Sequence, residues 1–333
     1  MTGGSSWHDS CECECCAVIH IRAVSPNDIT PSLVSSLSSR SGVLNLIVLE
    51  GVARRPDGDV VQFDVITAEA NDVLDDLRQL GLARRGSIVI DDVGAELSER
   101  ALQAEEQAPR ALRLSPVWEQ AQARIRAEGR YPPSWFALLA IAGLIAAVGI
   151  FTNSQILIVG AMVVGPEYAA IISVSLGLTT RDRQRVRVGA AALCFGFLLA
   201  VIATLAFSIV VRAIGLEPDA FRLGVRPVSN LINTPNAFSV VVATLAGIVG
   251  VVSLVEARAG ALIGVFISVT TIPAAADIGV STAFEDWSEA RGSLIQLLLN
   301  VIILTAVGAI GLIAQQRLWR SVTRRARRAA PSA

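Results

Sequence analysis

Residues 155–178 read QILIVGAMVVGPEYAAIISVSLGL, twenty-four residues carrying one charge, Glu167. About 20 apolar residues suffice to cross the hydrocarbon of a bilayer, so by length this is a membrane span. Gly165-Pro166 interrupts it half-way. A proline inside a helix removes one backbone hydrogen bond and opens a carbonyl, and in lipid such openings survive only where protein or a cavity covers them. The next residue is an acid, and a carboxylate at this depth costs at least ~2.5–3.5 kcal/mol to insert. A broken span with a buried acid at the break therefore predicts an all-α membrane domain with a polar site inside it.

Working outward, five further apolar segments reach spanning length: Ser134–Phe151, Val186–Ile214, Phe238–Val255, Gly260–Thr282 and Ser293–Gln315. The fifth of the six runs Gly264 to Pro273, with Asp277 one turn on, and the sixth carries a buried amide, Asn300. If segments one to three and four to six form two units, each has its broken helix in the middle. An odd number of spans per unit turns the second upside down, the 3+3 inverted repeat of many secondary transporters, with the site where the broken helices meet.

Arginine placement sets the expected orientation. Arg181, Arg183, Arg185 and Arg187 lie between segments two and three, Arg258 between four and five, and the tail holds Arg317, Arg320, Arg324, Arg325, Arg327 and Arg328. The opposite loops hold Arg222, Arg226 and Arg291. By the positive-inside rule both termini are expected in the cytoplasm. The basic tail, 317–333, reads as a topology anchor and not as a nucleic-acid site.

The remaining third has another character. The whole chain is 53% hydrophobic and 17% charged, against about 25% charged for a soluble domain. Residues 1–133 nevertheless hold 20 of the 29 acids and 13 of the 28 basic residues, a net of −7, and residues 134–333 have a net of +6. This division excludes a single soluble enzyme, an outer-membrane barrel and a disordered chain. All 28 basic residues are arginine, as expected of genome base composition.

Within residues 17–93 the pattern is strand, helix, strand, strand, helix, strand. Ala17–Val24 is a β-branched run, and Ser25-Pro26-Asn27-Asp28 turns into a helical stretch Ile29–Arg40. Val43–Gly51 and Asp59–Thr67 flank Arg54-Arg55-Pro56-Asp57-Gly58, whose Asp-Gly step predicts a hairpin. Glu69–Leu80 is an amphipathic helix closed by Gly81, and Ser87–Asp91 is the last strand. This βαββαβ order predicts an α+β, ferredoxin-like domain. A linker, 94–133, follows, in which Val117–Arg130 reads as an amphipathic helix beside the membrane, with Trp118 and Tyr131 as interface anchors. The membrane domain is expected over 134–316.

The first 16 residues read as a flexible tail with Cys11, Cys13, Cys15 and Cys16. They have soft donors suited to Zn²⁺ or Cu⁺, but only Cys13–Cys16 has the Cys-x₂-Cys spacing of a structural zinc site, so weak metal binding is the most this cluster predicts. No apolar h-region precedes residue 17, and the N-terminal domain is accordingly read as cytoplasmic. No cofactor is expected.

Before the fourth span stands Asn230, Asn233-Thr234-Pro235-Asn236, either a capped helix start or a set of amides lining the outer mouth of a path. This run, the Gly-containing helix Val240–Leu254 after it, the stretch Ala261–Pro273, the earlier Val159-Gly160-Ala161-Met162 before Pro166 and the preceding small α/β domain together resemble the bacterial membrane proteins labelled "domain of unknown function 389". The resemblance covers about residues 135–315. Members commonly carry a second proline after the first in span two and paired prolines in span five. Here Glu167-Tyr168-Ala169-Ala170 and Ile272 stand there, the mark of a divergent branch. The resemblance implies a bacterial inner-membrane protein and an architecture without an assigned activity.

Two functions are weighed. One is a transporter or channel for a small ion or solute, with Gly165, Pro166, Glu167, Pro273, Asp277, Asn300, Asn233 and Asn236 lining its path. The other is a non-transporting scaffold or sensor whose cytoplasmic domain binds a ligand or partner and whose membrane domain assembles through small residues. No nucleophile–base pair or paired histidine points to an enzyme. Two interrupted helices leave polar backbone to cover, which predicts a homo-oligomer in the bilayer.

Overall fold

The computed structural model describes residues 18–93, 98–113, 117–224, 226–255 and 271–329. The chain divides into two compact units, Met1–Gln120 with Trp319–Ala333, and Ala121–Leu318.

The first unit holds strands β1 (Val18–Ser25), β2 (Val43–Arg54), β3 (Asp57–Ile66) and β4 (Ser87–Asp92) in one sheet of order β2-β3-β1-β4, antiparallel throughout. Helices α1 (Thr30–Ser38) and α2 (Thr67–Gln79), with the single turn α3 (Leu82–Arg85), complete it. Alternation places Ile19, Ile21 and Ala23 of β1 beside Val61, Phe63 and Val65 of β3 on one buried face. Leu33 and Leu37 of α1 and Val73, Leu74 and Leu77 of α2 close over that face. Gly81, in the left-handed region at φ +76°, lies just past the end of α2, as the sequence predicts.

The hairpin differs from expectation. Arg54 pairs with Asp57, so the turn is Arg55-Pro56 and the Asp-Gly step lies inside β3. Gly58 serves a close approach instead, since a Cβ there would collide with the carbonyl of Ser25. Cys11, Cys13, Cys15 and Cys16 lie outside the described residues.

Short helices α4 (Glu99–Gln107), α5 (Arg110–Arg113) and α6 (Trp118–Glu128) follow, the last where an amphipathic helix was expected. Then come α7 (Pro133–Phe151), α8 (Gln155–Val164), α9 (Glu167–Thr180), α10 (Arg183–Ile214), α11 (Asp219–Arg222), α12 (Pro227–Asn233), α13 (Ala237–Val255), α14 (Thr271–Ala283) and α15 (Trp287–Ala329). Proline opens α7 where its missing N–H costs nothing. Ser154 caps α8 and Asp182 caps α10 through their side chains.

Among the described residues α7, α10, α13 and α15 are long and apolar enough to cross a membrane, and α8 with α9, bent by 50° at the break, make a fifth span if taken as one. The chain is thus a membrane-embedded protein with four such helices, or five, among its described residues. The first part of the expected span 260–282 falls outside the described residues, and α14 covers its second part.

Glycines set the closest helix contacts. A Cβ at Gly143 would press on Thr204 and Ala200 of α10, one at Gly279 of α14 would collide with Thr204, and one at Gly250 of α13 with Tyr168.

Candidate functional site

The break between α8 and α9 is a junction where two segments far apart in sequence meet. Gly165 and Pro166 separate α8 from α9, and α8, with ten residues, rises about 15 Å, half the thickness of the hydrocarbon core. Glu167 opens α9 and is 3% exposed. Thr271 Oγ1, at the start of α14, donates to Glu167 Oε1 at 2.8 Å. Glu167 Oε2 is buried with no hydrogen-bond partner among the described residues. A Cβ at Gly165 would collide with the side chain of Ile272 and with Glu167 Oε2, so glycine is what lets the break seat against α14. The carbonyl of Pro166 accepts a hydrogen bond from Trp135 Nε1 of α7 at 3.2 Å, so it is already engaged by protein. Gly165, Pro166 and Glu167 are therefore brought together with Thr271 and Ile272, the neighbours of Pro273, which is itself buried.

Asp277 belongs to a different place. Six residues on from Thr271, it lies about 9 Å further along α14. It is fully buried, with Ser229 Oγ of α12 donating to Oδ1 at 2.6 Å and Ser293 Oγ of α15 donating to Oδ2 at 2.5 Å. Ser229 Oγ also stands 3.3 Å from Glu289 Oε2. Arg226 reaches Glu289 at 3.3 Å and Asp286 at 3.6 Å and lies over the Phe221 ring at 4.1 Å. The guanidinium thus meets two carboxylates directly, and one of them, Glu289, is linked to Asp277 through Ser229. This cluster ties α12, α14 and the start of α15 together.

The amides divide by role. Asn236 Oδ1 accepts from the backbone N–H of Ser239 at 3.0 Å and caps the first turn of α13, the capping alternative of the two open for this run. Asn233 is buried, with its Nδ2 lacking a partner among the described residues, and its backbone lies against Gly292 of α15. Asn300 Oδ1 accepts from Gln296 Nε2 at 3.3 Å, one turn away on α15. Ser293, Gln296 and Asn300 share one stripe of α15, at spacings of three and four.

Thr271, Trp135, Ser229 and Ser293 escaped the sequence reading. A single hydroxyl or indole in an apolar run breaks no periodicity, and only the fold shows which acid it meets. Among the described residues no group of three or more His, Cys, Asp or Glu side chains is placed to hold a metal ion.

A helical membrane domain with a bent, acid-bearing helix pair, preceded by a small antiparallel sheet unit, is the class that this fold defines. The family model described as "Domain of unknown function (DUF389)" matches residues 162–306, from within α8 to within α15, and that stretch carries the DUF389 label. The match takes in the Asn233–Asn236 run, Pro166 and Pro273 on which the resemblance rests, and the description assigns no activity. No curated protein and no solved structure matches the chain.

Proposed function

We propose that the protein is an integral membrane transporter or channel for a small ion or solute, acting at the junction of the α8–α9 break with the start of α14. One observation carries this reading: Glu167, at the break, is buried with one oxygen held by Thr271 and the other without a partner among the described residues. A buried carboxylate oxygen without a donor is costly unless a proton, ion or polar solute visits it. The broken second span and α14, in the middle of each expected three-segment unit, support the inverted repeat as part of the proposal. So do an inner-membrane location with both termini in the cytoplasm, from arginine placement, and a homo-oligomer, because a broken helix in lipid needs protein cover. The ferredoxin-like label for the first unit rests on its βαββαβ element order and all-antiparallel pairing.

The test is flux in proteoliposomes with pH- and ion-sensitive dyes, wild type beside Glu167→Gln. Glutamine keeps size and polarity but removes the ionisable group, so flux should be lost while assembly is kept. Equal flux in the variant removes Glu167 from the path. Absence of flux for a broad ion panel in folded wild type transfers the weight to a scaffold or sensor.

A further inference from the structure

We propose that the turn joining α9 to α10 is a binding site for the phosphate headgroup of an anionic phospholipid. Gly177, Leu178, Arg181, Arg183, Val186 and Arg187 line a cleft of about 600 Å³ there. Arg181, Arg183 and Arg187 are exposed and make no ion pair among the described residues. The one acid of the turn, Asp182, is already engaged: it caps the N–H of Arg185 at 3.1 Å and pairs with the Arg185 guanidinium at 3.5 Å. Three arginines therefore border a concave space with no counter-charge paired to them among the described residues.

The backbone fixes where they stand. Arg181 takes a left-handed conformation, φ +57°, and closes α9 by donating its N–H to the Gly177 carbonyl. A Cβ at Gly177 would press on Val186, so the two helices meet there at close range and the arginines fan out from a short, tight link. Arg183 begins α10, whose N-terminal dipole adds to the attraction for an anion.

The apolar part of the site argues for a lipid. Leu178, about half exposed, and Val186 line the cleft. The uncharged stretch of α10 begins at Val188, so the arginines stand at the level where hydrocarbon gives way to headgroups. A phosphodiester on a diacyl tail matches both halves, its charge meeting the guanidinium fork and its chains meeting leucine and valine. Free phosphate would use only the first half.

The full-length protein, purified and delipidated in a neutral detergent, is titrated with phosphatidylglycerol or phosphatidylcholine, and bound lipid is counted by native mass spectrometry. Wild type is expected to prefer phosphatidylglycerol, with affinity falling about five-fold for each of R181Q, R183Q and R187Q and on the order of a hundred-fold for the triple variant. The triple variant R54Q/R55Q/R84Q, which removes three exposed arginines of the sheet unit, should leave the preference unchanged. An unaltered preference in the R181Q/R183Q/R187Q variant overturns the proposal. So does inorganic phosphate at millimolar concentration displacing the lipid completely, which would make the site one for the free anion. Unfolding midpoints checked alongside ensure that a loss reports the site, and the single variants serve if the triple one fails to fold.

Discussion

Thr271 and Glu167, 104 residues apart, share a hydrogen bond of 2.8 Å in the membrane-embedded unit. That bond joins the acid at the break between α8 and α9 to the first described turn of α14. Thr271→Val keeps shape and removes the donor, leaving Oε1 as bare as Oε2. A loss of about 1–3 kcal/mol is expected from a buried acceptor left unsatisfied, with Thr271→Ser close to wild type. Unfolding in micelles measures it, and equal stability of the valine and threonine forms would show the bond to be inert.

Gly165 should tolerate no side chain. Gly165→Ala drives a methyl into Ile272 and Glu167 and is expected to cost about 1–3 kcal/mol. Ile272→Val removes the methyl group that stands nearest. The double variant should then recover part of the loss, a coupling that a thermodynamic cycle detects. Strict additivity would mean that the two residues do not press on each other.

The sequence was most informative where a residue type carries its own backbone chemistry. Pro166 marks the bend, Gly81 the end of α2 and Asn236 the start of α13, because each acts on its own turn of chain. It was least informative where the partner is remote. Asp277 and Glu167 look alike as acids beside prolines, yet one is held by two serines from α12 and α15 and the other by one threonine. The hairpin erred for a related reason: Asp57-Gly58 has the composition of a turn, and the glycine is used for close backbone packing on Ser25. The expected span 260–282 is described only over its second part, as α14.

Ser229 and Ser293 are expected to act together on Asp277. Either alanine variant removes one donor from a fully buried carboxylate and should cost about 1–3 kcal/mol. Together they leave both oxygens without these donors, and the double variant should fall further than either alone. Chemical unfolding of the three variants in detergent decides it. A neutral Ser229→Ala would assign the short contact to packing alone.

Burial raises the carboxyl of Glu69 above its usual range, although Arg40 nearby and the Gly42 backbone pull the other way. The folded sheet unit therefore takes up a proton more readily than the unfolded chain does. Its stability should fall as pH rises from below the unfolded value, 4.5, through the higher folded one. Glu69→Gln should flatten this dependence and stabilise the unit above that interval. Unfolding of the full-length protein followed by a probe in the sheet, at pH 4 to 7, reads both forms; parallel curves would contradict the assignment.

Helix α10 also sets a length. Its 32 residues rise about 48 Å, and Arg187 and Arg212 stand about 37 Å apart along it, more than the ~30 Å of hydrocarbon and less than the ~40–45 Å of a whole bilayer. Both arginines thus reach headgroup depth in a membrane of ordinary thickness, and a thinner one must tilt the helix or pull a charge inward. Arg212 cannot yield alone, because it holds the carbonyl of Ala283 at 2.5 Å and Glu285 at 3.1 Å, at the far end of α14. The contact of Gly279 with Thr204 ties the same two helices mid-way. α10 and α14 are thereby fastened at two heights, at Thr204 with Gly279 and at Arg212 with Ala283 and Glu285, while the opposite end of α14 holds Glu167 through Thr271.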